Sequence, residues 1–167
     1  MNRPMLCERV LGNLDGDPTA FSRACRDMDE LELKWWELNN RALRKITRDG
    51  REIRILLPIG QYLHDGDIIY DDGATIVVIR VAECEVLVVK PRNATELGLA
   101  ALEIGNLHAP AEMVGDELVV LADGPIESAM SELGVPYERT VRRLNPRRCA
   151  GMPVLAASPN LNIRRKI

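Results

Sequence analysis

Three Asp-Gly pairs, Asp49-Gly50, Asp65-Gly66 and Asp72-Gly73, fall between short aliphatic and β-branched runs in the first half of this chain. Both residue types tolerate the positive φ of tight turns, so this punctuation is a strong short-range signal for hairpins. The runs fit strands. Arg44-Lys45-Ile46-Thr47 and Glu52-Ile53-Arg54-Ile55-Leu56-Leu57 flank the first pair, and Ile68-Ile69-Tyr70 and Ala74 to Ile79 flank the third. Glu32-Leu33-Lys34-Trp35 alternates polar and apolar as a half-buried strand does. On that reading Trp35 and Trp36 lie in a strand and point to opposite faces, one into the core and one towards a partner. The polar stretch from Asp15 to Asp29 reads as a loop or short helix. Short strands at close spacing predict a small sandwich or barrel-like β module over residues 1–80.

The rhythm then changes. Glu85 to Lys90 is a strand pattern ended by Pro91, and Asn93-Ala94-Thr95-Glu96 has the spacing of a helix cap. Leu97, Ala100, Ala101 and Ile104 recur at helical spacing, with Gly105 as the expected stop. Ala111–Val114 and Glu117–Leu121 form a hairpin around Gly115-Asp116. Asp123-Gly124-Pro125 opens a second helix, with Ile126, Ala129, Met130 and Leu133 on one face and Gly134 at its end. Tyr137 to Leu144 is a last strand. The order β-α-β-β-α-β over residues 81–145 is that of a ferredoxin-like module, so the chain is α+β. Residues 146–167 have no clear periodicity and three prolines within the last 23 residues, and are expected to be a flexible tail.

Composition excludes several function classes. A net charge of −3, from 22 basic and 25 acidic residues, argues against a nucleic-acid binder, and the basic cluster Arg142, Arg143, Arg147, Arg148 has no interleaved aromatics on which bases could stack. No apolar run reaches the ~18 residues of a membrane span, and no signal-peptide core follows Met1, so a cytoplasmic location is expected. The four cysteines, at 7, 25, 84 and 149, form no CxxC pair and read as isolated thiols. Cys84, in an apolar run, is expected in the core. Cys149, beside Arg147 and Arg148, has neighbours that favour its thiolate. No GxSxG, Walker loop or HExxH occurs, so no enzyme is expected.

His108 is the remaining chemical feature, one of two histidines, in Ile104-Gly105-Asn106-Leu107-His108-Ala109-Pro110. A lone histidine is more often a surface or capping residue than a ligand. One imidazole cannot hold a metal ion by itself, but a two-fold axis beside it would bring two copies to one point. Imidazole suits nickel, copper and zinc. Two imidazoles completed by water or tail ligands make an incomplete shell suited to exchange. His64, in Leu63-His64-Asp65-Gly66-Asp67, reads as a solvated turn whose spacing fits no ligand frame.

Five segments, in this order and spacing, resemble the UreE family of urease accessory proteins: Leu33-Lys34-Trp35-Trp36-Glu37, Leu43-Arg44-Lys45 with Asp49-Gly50-Arg51-Glu52, Leu63 to Ile68, Glu85 to Pro91, and above all Glu103-Ile104-Gly105-Asn106-Leu107-His108, close to the family's Gly-Asn-x-His signature. The resemblance runs from about Val10 through Arg143. It implies an N-terminal β module that binds protein or peptide, and a ferredoxin-like module that dimerises and binds metal. It implies that His108 lies at the dimer interface, where two copies bind one Ni2+, with Zn2+ or Cu2+ as substitutes in vitro. It implies partners, too: the urease accessory GTPase and the apo-urease–accessory complex. The chain departs from the family pattern in having no histidine after His108, so the expected capacity is about one ion per dimer, and Cys149 is the candidate extra ligand. The alternative is an adaptor that keeps the fold without handling metal.

Overall fold

The structure is a computed structural model and describes residues 4–14 and 27–146. Eleven strands and two α-helices follow in chain order among those residues: β1 (Met5–Cys7), β2 (Gly12–Asn13), β3 (Asp27–Leu33), β4 (Ala42–Ile46), β5 (Glu52–Leu56), β6 (Asp67–Asp71), β7 (Thr75–Val81), β8 (Glu83–Val89), α1 (Ala94–Asn106), β9 (Ala111–Val114), β10 (Glu117–Leu121), α2 (Gly124–Leu133) and β11 (Tyr137–Arg143).

The N-terminal strands make two sheets, β1-β5-β4 and β2-β6-β7-β3. Alternation decides what they bury. Cys7, Ile53 and Ile55 of the smaller sheet meet Leu31, Leu33, Val77, Ile79 and Val81 of the larger in one core. The larger sheet is covered on its other face as well, where Ile68, Ile76 and Val78 pack with Leu11 and Leu14. The expected small sandwich is therefore present. The hairpin at Asp49-Gly50 joins β4 to β5, and that at Asp72-Gly73 joins β6 to β7. The middle pair works differently. Gly66 (φ +81°) precedes β6, where the left-handed dihedral favours glycine, and a Cβ there would lie 3.1 Å from the Asn13 side chain and press on it.

Among the described residues of this module Asp29 is the most enclosed charge. Its carboxylate accepts from the Arg51 guanidinium at 2.9 Å and the Asp49 N–H at 3.1 Å, tying the β4–β5 turn to β3. Burial alone would raise this carboxyl; the donations from Thr47, Asp49 and Arg51 outweigh it and hold it below the usual carboxylate range.

Trp35 and Trp36 depart from expectation. They lie in a 3-10 turn, Trp35–Glu37, beyond the end of β3. The Glu37 carboxylate accepts the Lys34 N–H and so closes the turn. Trp35 is buried, Trp36 is half-buried against the same core, and the rings meet edge to face at 5.5 Å. Neither indole is an exposed partner patch. Asp27, Met28 and Asp29, assigned to a loop from their polarity, begin β3 instead.

The C-terminal sheet has the order β11-β8-β10-β9, all antiparallel, with both helices on one face: the ferredoxin-like arrangement. Leu87, Val89, Leu118 and Val120 meet Ala100, Ile104, Ile126 and Met130 beneath the helices. The opposite face of this sheet is not open. Val86, Val88, Val119 and Leu144 belong to the core of the N-terminal sandwich, and Arg143 reaches Asp65 at 3.8 Å across the same junction. The two modules thus share apolar packing. Among the described residues no helix is long and apolar enough to cross a membrane.

Candidate metal centre

Helix α1 delivers His108. Asn93 caps its start, its side chain accepting the Glu96 N–H at 2.9 Å. The helix does not stop at Gly105 but runs to Asn106, with Leu107 as its C-cap. His108 then takes the left-handed conformation (φ 53°), the only non-glycine residue to do so among those described. Its N–H donates to Gly105 C=O at 3.0 Å, and the Ala109 N–H donates to Ile104 C=O at 3.2 Å. This pair of bonds closes the helix in a Schellman motif, whose left-handed position is usually glycine. An imidazole occupies the position instead and is exposed to solvent.

Apolar side chains lie exposed on the helix that leads to His108 and on the strand that follows it. Leu99 (46% exposed), Leu102 (63%) and Leu107 (40%) line the outer side of α1, and Met113 (52%) stands on β9. Gly98, Ala101 and Gly105 are exposed between them. Sequence reasoning passed over this surface. The signal was present, because Leu99 and Leu102 fall off the stripe made by Leu97, Ala100 and Ile104, giving α1 apolar residues on two faces where a surface helix needs one. The second helix does not share this pattern: Ile126 and Met130 are buried, and Leu133, on the same face, is part exposed only at the helix end.

No group of three or more His, Cys, Asp or Glu side chains that could hold a metal ion occurs within the chain among the described residues. His64 is a turn residue: its N–H donates to Asp67 at 2.7 Å and its Nδ1 lies 3.6 Å from the same carboxylate. Asp67 also accepts from Asn13 at 2.9 Å, so its role is to hold the turn before β6. Cys149 and Cys25 lie outside the described residues. Cys7 is buried, and burial pushes its thiol up to about 11. Cys84 is half-buried against the shared core, and burial raises it too. Neither is disposed to ligate. One polar contact bears on the tail. The Asn145 N–H donates to Glu112 at 3.1 Å, so the chain after β11 leaves from beside β9, the strand that follows His108.

The family model of the UreE urease accessory protein N-terminal domain matches residues 7–82, and that of its C-terminal domain matches residues 84–156. Among curated relatives, the urease accessory protein UreE of Acetivibrio thermocellus is 33% identical over 144 residues, covering 85% of this chain and 91% of the relative. Those of Bacillus sp. (strain TB-90) and Halalkalibacterium halodurans are 34% and 35% identical, each over 140 residues, covering 84% and 83% of this chain and 92% and 90% of the relatives. Both modules and most of the chain's length are matched, and the chain belongs to the UreE family of urease accessory proteins.

Proposed function

We propose that this protein carries Ni2+ as cargo during assembly of the urease active site, and that it does so as a homodimer in which two His108 imidazoles hold one ion. Family membership gives the coarser statement, an accessory role in urease maturation rather than an enzyme. The observation that carries the finer one is the left-handed His108. A side chain in that conformation costs about 1–2 kcal/mol that glycine would avoid, and strain retained at an exposed position points to a use for the side chain.

Three features support the dimer. Leu99, Leu102 and Leu107 of the α1 segment and Met113 of β9 are exposed apolar side chains that a second copy would cover. Gly98 and Gly105 sit inside α1 with nothing within 4 Å of where a Cβ would be. Each weakens the helix by about 1 kcal/mol relative to alanine, and no packing among the described residues requires either one. Close approach of a second α1 would. Finally, the candidate imidazole stands without two further ligands among the described residues of one chain, which a site completed between chains would supply.

Cys149 is the proposed tail ligand. It lies four positions beyond Asn145, a reach of at most about 14 Å, and Asn145 is held at β9. In the reading we favour the protein is cytoplasmic. It receives Ni2+ with Zn2+ and Cu2+ as in-vitro competitors, and passes it to the accessory GTPase and the apo-urease complex while the N-terminal module binds protein. Residues 1–80, 81–145 and 146–167 then act as docking module, metal-binding module and ligand-bearing tail. Isothermal titration with nickel tests this. The parent should bind one ion per dimer, and His108→Ala should fold and dimerise but lose most of the affinity. Cys149→Ser should weaken binding less. An adaptor that handles no metal would bind none at micromolar nickel.

A further inference from the structure

Strand β4 is an edge, with no strand beyond it among the described residues. Leu57 N–H donates to Arg41 C=O at 2.7 Å and Thr47 N–H donates to Arg51 C=O at 2.9 Å, which sets the phase of the β4–β5 ladder. Antiparallel alternation then turns the N–H and C=O groups of Ala42, Arg44 and Ile46 away from β5. None of these backbone groups has a partner among the described residues. Edges are usually blunted by proline, bulges or unpaired inward charges. β4 has no proline, and its inward charge, Lys45, is neutralised by Glu37 at 2.5 Å.

The side chains around this edge carry a pattern of their own. Ala42, Arg44 and Ile46 point outward, with Leu56 beside Ala42 and Arg54 beside Arg44. Ile46 and Leu56 are more than half exposed, and Ile59, just past the end of β5, is 89% exposed. Ile59 and Ala42 border a cleft of about 390 Å³ at the start of β4, which Asn40, Arg41 and Tyr62 also line. The patch is electropositive. Arg44 and Arg54 share the single carboxylate of Glu52, and the Arg41 guanidinium has no carboxylate partner among the described residues.

We propose that the free edge of β4 and the cleft beside it bind an extended segment of another protein as a fourth strand of the sheet, with a large aliphatic side chain in the cleft and an acidic side chain against Arg41. Added strands gain affinity from main-chain hydrogen bonds and specificity from pockets for alternate side chains, and both elements are present here. A second copy of this chain is the wrong occupant. Antiparallel pairing of β4 with itself about its centre sets Arg44 opposite Arg44, and like charges facing each other destabilise a strand pair. The inference makes no use of His108 or nickel and stands or falls separately from them.

The test uses the full chain, isotopically labelled, and a capped heptapeptide of alternating glutamate and valine as the probe. The amides of Ala42, Arg44 and Ile46 should shift on titration and become protected from hydrogen exchange, while a peptide with lysine in place of glutamate should bind at least about tenfold more weakly. Ile46→Pro removes an outward donor without touching the β4–β5 ladder, and Ile59→Asp spoils the cleft from a fully exposed position. Each should weaken the glutamate–valine peptide by about tenfold or more. Should Ile46→Pro not fold, Ile59→Asp decides alone. No shift at millimolar peptide overturns the proposal, as do shifts that map elsewhere, equal binding of the lysine peptide, or unchanged binding to Ile59→Asp. Protection of the β4 amides that appears without peptide and vanishes on dilution would assign the edge to a second copy and overturn it too.

Discussion

Replacing His108 by glycine should make the metal-free protein more stable. The left-handed backbone at φ 53° costs a residue with a Cβ about 1–2 kcal/mol. Glycine removes that strain but adds freedom to the unfolded chain, worth about 0.4–1 kcal/mol in the opposite direction. The net expectation is a gain of about 0.5–1 kcal/mol, because the two Schellman bonds use backbone groups and survive the change. For a chain of this size that is an increase of about 1–4 °C in Tm. His108→Ala removes the same imidazole and keeps the strain, so it should melt below His108→Gly. Nickel reverses the order. At a hundredfold excess over its Kd, bound metal stabilises the parent by about 2.7 kcal/mol, whereas neither variant should gain. Thermal unfolding followed by circular dichroism, with and without nickel, reads all six states. If His108→Gly melts below His108→Ala without metal, the left-handed strain is not what the backbone geometry implies. If either variant gains as much from nickel as the parent does, the imidazole is not the ligand.

Three further outcomes follow from particular contacts. Leu102→Asp places a charge at the centre of the apolar face of α1 without touching the buried side of the helix; analytical ultracentrifugation should show dimer affinity reduced about thirtyfold or more, the ~2 kcal/mol of a central interface anchor, with the monomer's fold intact. Asp29→Asn should lower stability by about 1–3 kcal/mol, since the donors of Arg51 and Asp49 lose a charged acceptor. Because the Asp29 carboxyl is depressed on folding, its contribution is fully present above the ordinary carboxylate value near 3.9 and is lost as pH falls through the lower folded value; denaturant unfolding below about pH 4 should therefore narrow the gap between parent and variant, and a constant gap would contradict the assignment. Cys7, at about 11, holds on the order of one thiolate in a thousand at pH 8, so iodoacetamide should leave it unmodified in the folded protein and label it once denaturant is added.

The features legible in the sequence are those set by local chemistry. Asp49-Gly50 and Asp72-Gly73 place two hairpins, Asn93 starts α1, and Gly134, left-handed at φ 66°, ends α2. The ferredoxin-like order over β8 to β11 follows from turn spacing and period alone. What could not be read depends on contacts distant in sequence. Leu144 sits in a core built mainly from residues more than sixty positions earlier, so the shared packing of the two modules leaves no local trace. The end of α1 was misplaced by three residues because glycine is the default left-handed residue. Ile104, buried under the helix, needs the turn after it, and the last helical hydrogen bonds carry the left-handed position past Gly105 to His108. The Trp35-Trp36 pair broke its alternating pattern because Glu37 captures the Lys34 N–H and curls the chain out of β3. As for the proposed metal site, the sequence singles out His108 as a candidate, while the exposed leucines of α1 became visible only when burial showed which of them had no cover.

The most direct measurement is anomalous diffraction at the nickel edge from crystals of the full chain grown with the metal. The account predicts a single strong peak on a two-fold axis, between the α1 helices of two chains, with a His108 imidazole nitrogen from each at about 2.0–2.1 Å, the usual metal–imidazole length. A peak bound within one chain away from His108, or dimers whose paired α1 helices keep the two rings apart with no metal between them, would contradict it.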